Sequence, residues 1–444
     1  MQTFSKDFIF GTATSSYQIE GAANEGGRTP SIWDEFSKTP GKVWNGDTGD
    51  VACDHYHRFE EDIEIIKALG VDSYRFSIAW PRIFPSEGQY NPEGMEFYKK
   101  LAKKLNDAGI KPFVTLYHWD MPKWAYDKGG WVNRDSVQWF LDYAEKCFEE
   151  LDDLVSMWIT HNEPWCAALL GYYEGVHAPG HMNLDEAVRV SHHLLLSHGK
   201  AVELYKNQLH LTKPIGITLN LSPVYPASER VEDELAANNY DGYLNRWFLD
   251  PVFKASYPKD MMNLYSKQVS SFDFIQEGDM GTIATSCDFF GINFYNRALI
   301  RYSTTSPLLF EPAESDYPKT GMGWDVSPNE FKELIRTLRR DFTDLPMYIT
   351  ENGAAFQDVL EEDGTVKDVE RREYMEQHIE AIAFLNEEGM NIRGYYLWSL
   401  LDNFEWAFGY DKRFGITYVD FQTQKRYMKD SAKRYAEIVH SRQL

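Results

Sequence analysis

Eight short apolar runs recur along the 444 residues, and the stretches between them carry apolar residues at helical spacing. The runs are Phe8–Ala13, Ser73–Ile78, Phe113–Tyr117, Met157–Thr160, Ile215–Leu219, Phe289–Asn293, Tyr348–Thr350 and Tyr395–Trp398. Several are nearly continuous in apolar residues, as strands buried on both faces must be. The intervening segments 59–69, 94–108, 137–151, 184–204, 328–340 and 371–388 repeat apolar residues every three or four positions, which predicts helices. Eight strands alternating with helices, with no linker rich in Pro, Gly or Ser, predict a parallel (β/α)8 TIM barrel. An ordinary single core stops growing near ~250–300 residues, but barrels with long βα loops exceed ~400 as one domain. The expectation is therefore a single domain over residues 1–444 with long βα loops.

Polar residues gather where these runs end. Gln18 follows the first after a short loop, His118 and Trp119 end the third, and Asn162 and Glu163 end the fourth. Asn293 and Tyr295 end the sixth, Glu351 the seventh and Trp398 the eighth. Barrel enzymes build their active sites at the C-terminal ends of the strands. Scatter would not concentrate polar groups there.

Two of these ends carry the chemistry. Thr160–Pro164 (T-H-N-E-P) and Ile349–Gly353 (I-T-E-N-G) each put a glutamate just beyond an apolar strand. Cleaving a glycosidic bond needs an acid to protonate the leaving oxygen and a carboxylate to meet the oxocarbenium-like carbon. Two glutamates at one barrel mouth supply both. The alternative for either one alone is a surface loop glutamate, the ordinary fate of this residue. Aromatics make up 15% of the chain, and they stock either a large core or a cleft whose rings stack on sugar faces.

Over essentially its whole length the sequence resembles glycoside hydrolase family 1. The resemblance rests on F-I-F-G-T-A-T-S-S-Y-Q-I-E-G-A from Phe8, Y-R-F-S-I-A-W-P-R-I from Tyr74 and T-L-Y-H-W-D-M-P from Thr115. It continues in T-H-N-E-P-W from Thr160, Y-I-T-E-N-G from Tyr348 and Y-L-W-S-L-L-D-N-F-E-W-A-F-G-Y from Tyr396. It implies a retaining β-glucosidase that works without metal or organic cofactor, taking β-glucosyl and also β-galactosyl or β-fucosyl residues. In it Glu163 matches the general acid/base and Glu351 the nucleophile. Gln18, His118, Trp119, Asn162, Tyr295, Trp398, Glu405 and Trp406 match the substrate-binding set, with Arg75 and Asn293 in support of the two carboxylates. Trp165, Cys166, Asn220 and Trp324 fall on the aglycone side. Met121, Lys123 and Trp124 depart from the family's pattern, which implies an altered cleft rim.

Other readings are narrowed by the same residues. A 6-phospho-β-glucosidase needs cationic or hydroxyl partners for the phosphate, where Glu405 would repel it. A non-catalytic sugar-binding barrel lacks one glutamate, and a thioglucosidase lacks the acid/base glutamate; both are present here. His118 and His161 suggest a metal, yet no third ligand has suitable spacing, so none is expected. Forty-five basic and 68 acidic residues leave a formal charge of −23, which repels nucleic acid and anionic lipid. The expected partners are small β-glucosides and cello-oligosaccharides. Cys53, Cys147, Cys166 and Cys287 form no C-x-x-C pair, no 18-residue apolar run exists and Met1–Phe8 does not read as a leader. A cytoplasmic location is the expectation. Glu361–Asp363 before Gly364 reads as a tight turn.

Overall fold

The structure, a computed structural model, describes residues 2–444. Its centre is a closed parallel barrel of eight strands. In chain order they are β1 (Ile9–Ala13), β2 (Ser73–Ser77), β3 (Lys111–Tyr117), β4 (Met157–Asn162), β5 (Ile215–Asn220), β6 (Phe289–Asn293), β7 (Met347–Asn352) and β8 (Ile392–Trp398). Each predicted run is a barrel strand, and sequence neighbours are spatial neighbours around the ring. Closure is made by β1 against β8, with Ile9 opposite Gly394 and Ala13 opposite Trp398. On its other edge Ala13 pairs with Arg75 of β2. The six predicted helices all form, within four residues of their expected ends, as at His55–Leu69, Ser136–Leu151 and Leu184–Glu203. Their apolar faces pack on the outside of the strands, where Phe140, Phe148, Leu194 and Ile379 are fully buried.

At their C-terminal ends β4, β5 and β7 run further than the apolar pattern indicates. β7 continues through Glu351 to Asn352, so Glu351 lies inside the strand rather than beyond it. The pattern hides this because the register against β6 shifts between Ile349 and Glu351. Such a bulge lets two residues oppose one and re-aims the side chains that follow. β4 shows a similar shift against β5 between Ile159 and Asn162. Both bulges sit at the C-terminal mouth.

Elements outside the barrel pattern were not legible. A small sheet of Val224–Pro226, Ala298–Tyr302 and Phe310–Pro312 and the helix Val231–Asp241 cover one side of the mouth. A hairpin, Thr417–Val419 with Arg426–Met428, leads to a final helix, Asp430–Ser441. The Asp363-Gly364 pair does make a turn: Gly364 has φ +83° and donates to Glu361 O at 2.9 Å. All four cysteines are free and buried. Among the described residues no helix is long and apolar enough to cross a membrane.

A buried ion cluster ties the two loops after β7 and β8 to the C-terminal helix. Lys429 Nζ, fully buried, donates to Asp358 at 2.5 Å and to Asp402 at 2.7 Å. Arg371 pairs with Asp358 and Asp368, and Arg413 with Asp402. Charges taken out of water need their partners, and deleting one strands the rest. Lys429→Met should therefore destabilise the protein by ~3 kcal/mol, read as a lower midpoint in thermal unfolding at a fixed scan rate. An unchanged midpoint would show that Arg371 and Arg413 suffice to neutralise Asp358 and Asp402.

Candidate active site

At the mouth of the barrel lies a cavity of about 340 Å³. Its inner wall includes His118, Trp119, Glu163, Asn293, Tyr295, Glu351, Trp398, Glu405 and Trp406. Several of these positions are conformationally costly. Trp119, Glu163 and Trp406 have φ of 78°, 49° and 48°, the left-handed region that side chains rarely adopt. Each such residue costs ~1–3 kcal/mol, held in place only where the surroundings enforce it. The sharp turn at Glu163 lets β4 stop at Asn162 and present the glutamate to the cavity before the chain turns into a helical segment. Gly353 is required by close approach: a Cβ there would lie 1.8 Å from the carbonyl oxygen of Trp398.

The two glutamates have different surroundings. Glu351 accepts from Arg75 Nη1 at 2.6 Å on one oxygen and from the Tyr295 hydroxyl at 2.6 Å on the other. Arg75 is fully buried, and its Nη2 also donates to Asn162 Oδ1 at 2.6 Å. Among the described residues Glu163 has no cation in direct contact. Its oxygens accept from Asn293 Nδ2 at 2.5 Å and from the Cys166 thiol at 3.0 Å. Burial, with the charge of Glu351 second, pushes the Glu163 carboxyl up to about 7. Glu405 is pushed up to about 8 by burial and then by the charges of Glu351 and Glu163.

An amide network aligns these groups. Asn293 Nδ2 also reaches Asn162 Oδ1 at 3.0 Å, and Asn293 Oδ1 accepts from Thr350 Oγ1, which accepts from Thr218 Oγ1. With its oxygen holding Arg75 and Asn293, Asn162 turns its Nδ2 toward His118 Nε2 at 3.1 Å. Burial and Arg75 hold the His118 imidazole well below its usual range, so it is neutral with its proton on Nδ1. The His118 ring lies nearly parallel to Trp398 and Trp406, at 5.9 and 6.0 Å. Trp119 packs on Trp406 at 4.5 Å and donates its indole N–H to Asn162 O.

Not every expected residue faces the cavity. Gln18, Arg75 and Asn162 are fully buried beneath it. Gln18 donates to Asn403, to the Phe404 carbonyl and, at 3.5 Å, to Glu405, while its own oxygen accepts from Ser15. It reaches the cavity through Glu405. Trp165, Cys166, Asn220 and Trp324 all line the outer part. Met121, Lys123 and Trp124 do not alter the rim as expected. Met121 is fully buried, Trp124 donates to Phe84 O and packs between Trp80 and Trp139, and Lys123 pairs with Asp127 at the surface. His161 points away from the cavity, stacking on Phe140 and donating to Ser197. Sequence reasoning missed the outer wall, which includes Val176, Leu221, Tyr240, Leu244, Met322 and Phe408. Leu221 directly follows β5, but the signal of the others is tertiary, because they come from segments away from the strand ends. No lysine or arginine lines the cavity among the described residues.

The sequence profile described as glycosyl hydrolase family 1 matches residues 1–444, and the chain belongs to that family. A crystal structure of a GH1 β-glucosidase from Exiguobacterium antarcticum B7 is 66% identical, with a TM-score of 0.98 and 99% of each chain covered. β-Glucosidase A of Acetivibrio thermocellus is 49% identical over 441 residues, 98% of either protein. A bifunctional β-D-glucosidase/β-D-fucosidase of Bifidobacterium breve is 41% identical over 458 aligned positions, again 98% of each.

The raised Glu163 carboxyl has a consequence for stability. Its folded value, about 7, exceeds the 4.5 of a free glutamate, so its favourable state is the protonated one. Stability is fully present below the unfolded value and falls as pH rises through the folded one. Glu163→Gln keeps the shape and removes the titration. It should be more stable than the parent at about pH 8, by ~1–3 kcal/mol, with the gap closing toward pH ~4.5. Denaturant unfolding at both pH values checks this, and a gap independent of pH would contradict the environment described.

Proposed function

We propose that the chain is a retaining β-glucosidase that removes terminal β-D-glucosyl residues, and β-fucosyl or β-galactosyl residues, from small glycosides and cello-oligosaccharides. The observation that carries this reading is the asymmetry of the two carboxyls. Glu351 is held by a buried guanidinium and a phenol, while Glu163 has a thiol and an amide and is pushed up to about 7 by burial and then by the charge of Glu351. One is prepared as a nucleophile and the other as an acid.

In the first step Glu351 attacks the anomeric carbon and Glu163 protonates the departing oxygen. Esterification then removes the negative charge of Glu351, the second cause of the raised Glu163 value. Glu163 ionises more readily and takes a proton from the water that opens the ester. Trp398, Trp406 and His118 present flat surfaces and a donor to the sugar, and Glu405 faces its hydroxyls from a site oriented by Gln18. The outer residues Trp165, Cys166, Asn220 and Trp324 border the aglycone. The absence of a cationic side chain on the cavity wall supports an unphosphorylated sugar better than the charge of Glu405 does, since Glu405 is itself pushed up to about 8.

Glu351→Ala should lose nearly all activity on an aryl β-glucoside and regain turnover with added azide, giving an α-glycosyl azide. The parent should release β-glucose first, as followed by NMR; α-glucose first would exclude retention. Glu163→Ala should keep the first step on substrates with good leaving groups and slow the second by a factor of ~10²–10⁴. In the parent, kcat/KM should fall on the alkaline side near pH ~7, where Glu163 loses its proton. An aryl glucoside 6-phosphate turned over with higher kcat/KM than the free-sugar compound would overturn the substrate assignment.

A further inference from the structure

Glu163 has to be an acid in one half of the proposed cycle and a base in the other, so the neighbour on each oxygen matters. Asn293 Nδ2 can only donate, and it does so to Oε1 at 2.5 Å. That oxygen is therefore poorly placed to carry a proton. Oε2 faces Cys166, whose Sγ lies 3.0 Å away. A thiol is a weak donor and also a weak acceptor. It can give its S–H to the carboxylate, and it can turn to receive an O–H from the acid. Neither state of Glu163 leaves Oε2 without a partner.

We propose that Cys166 is a positioning residue for Glu163: its thiol marks Oε2 as the oxygen that carries the catalytic proton and supports both protonation states of the carboxyl. The inference rests on the acid/base role of Glu163. The local backbone supports it. The left-handed turn at Glu163, the bond from Cys166 N to Glu163 O at 3.0 Å and the π-helical turn Cys166–Leu170 fix the two side chains toward one another. Cys166 is 6% exposed and forms part of the cavity wall. Burial, followed by the nearby carboxylates, pushes the thiol well above its usual range, so it remains S–H and does not compete as a nucleophile. A hydroxyl at this position would be a stronger donor and would favour the anion. A methyl group would leave the anion one donor short.

The test is the alkaline limb of kcat/KM on an aryl β-glucoside with an activated leaving group, in the full-length protein. Cys166→Ser should move the limb to lower pH and Cys166→Ala to higher pH, each by ~0.5 unit, the size expected for one modest hydrogen bond. Cys166→Ala should also slow the second step relative to the first, seen as a lower kcat with a lower KM. Cys166→Thr supplies the same hydroxyl should the serine variant fold poorly. A side chain that only packs would change kcat or stability without moving the limb in opposite directions. If the limb stays in place in both variants, or moves the same way in both, the role of Cys166 is overturned. Glu163→Gln separates this from the underlying assignment: an alkaline limb that survives in that variant removes Glu163 from the acid role, whatever Cys166 does.

Discussion

The buried guanidinium of Arg75 is the contact on which the site depends. It rises from β2, where its backbone pairs with Ala13 of β1, and it bonds to Glu351 of β7 and Asn162 of β4. One side chain thus joins three strands that are not neighbours in the ring. An isolated cation there would be costly, and Glu351 alone offsets it with direct charge. The same pairing sets the sign of the rest. Arg75 orients the oxygen of Asn162, so the amide nitrogen faces His118, and after burial it is the second cause that holds His118 well below its usual range. Glu163, which no guanidinium touches among the described residues, is pushed up by burial and then by the charge of Glu351.

The scaffold carries strain where function concentrates. Trp119, Glu163 and Trp406 all adopt left-handed backbone conformations, and all three line the cavity. Their unfavourable angles are offset by the packing of Trp33 and Trp119 on Trp406 and by the ladder bonds of β4. Behind them the Lys429 cluster anchors the loop after β8, the segment that delivers Glu405 and Trp406. Rigid strands position the carboxyls, and long loops, pinned by buried charge, close the cavity over them.

Much of this was readable from the chain because barrels keep sequence order in space. Strands buried on both faces leave apolar runs, and the residues that end them must be near one another at one rim. That logic reached Glu163, Glu351, His118, Asn293 and Trp398 directly. It failed for Val176, Tyr240 and Leu244, whose segments follow no strand-end rule. The departure of Trp124 from the family's pattern implied a changed rim, whereas its indole donates to Phe84 O instead.

The sequence alone determined the strand count, their order and the two glutamates, because periodicity and motif are local properties. The tertiary structure decided what the glutamates are. Bulges in β4 and β7 re-aim the mouth residues, Arg75 arrives from 276 positions away in the chain, and Cys166 meets Glu163 across a left-handed turn. Two identical side chains came to differ in their partners, a guanidinium and a phenol for one and a thiol and an amide for the other, and those partners meet them only through the fold.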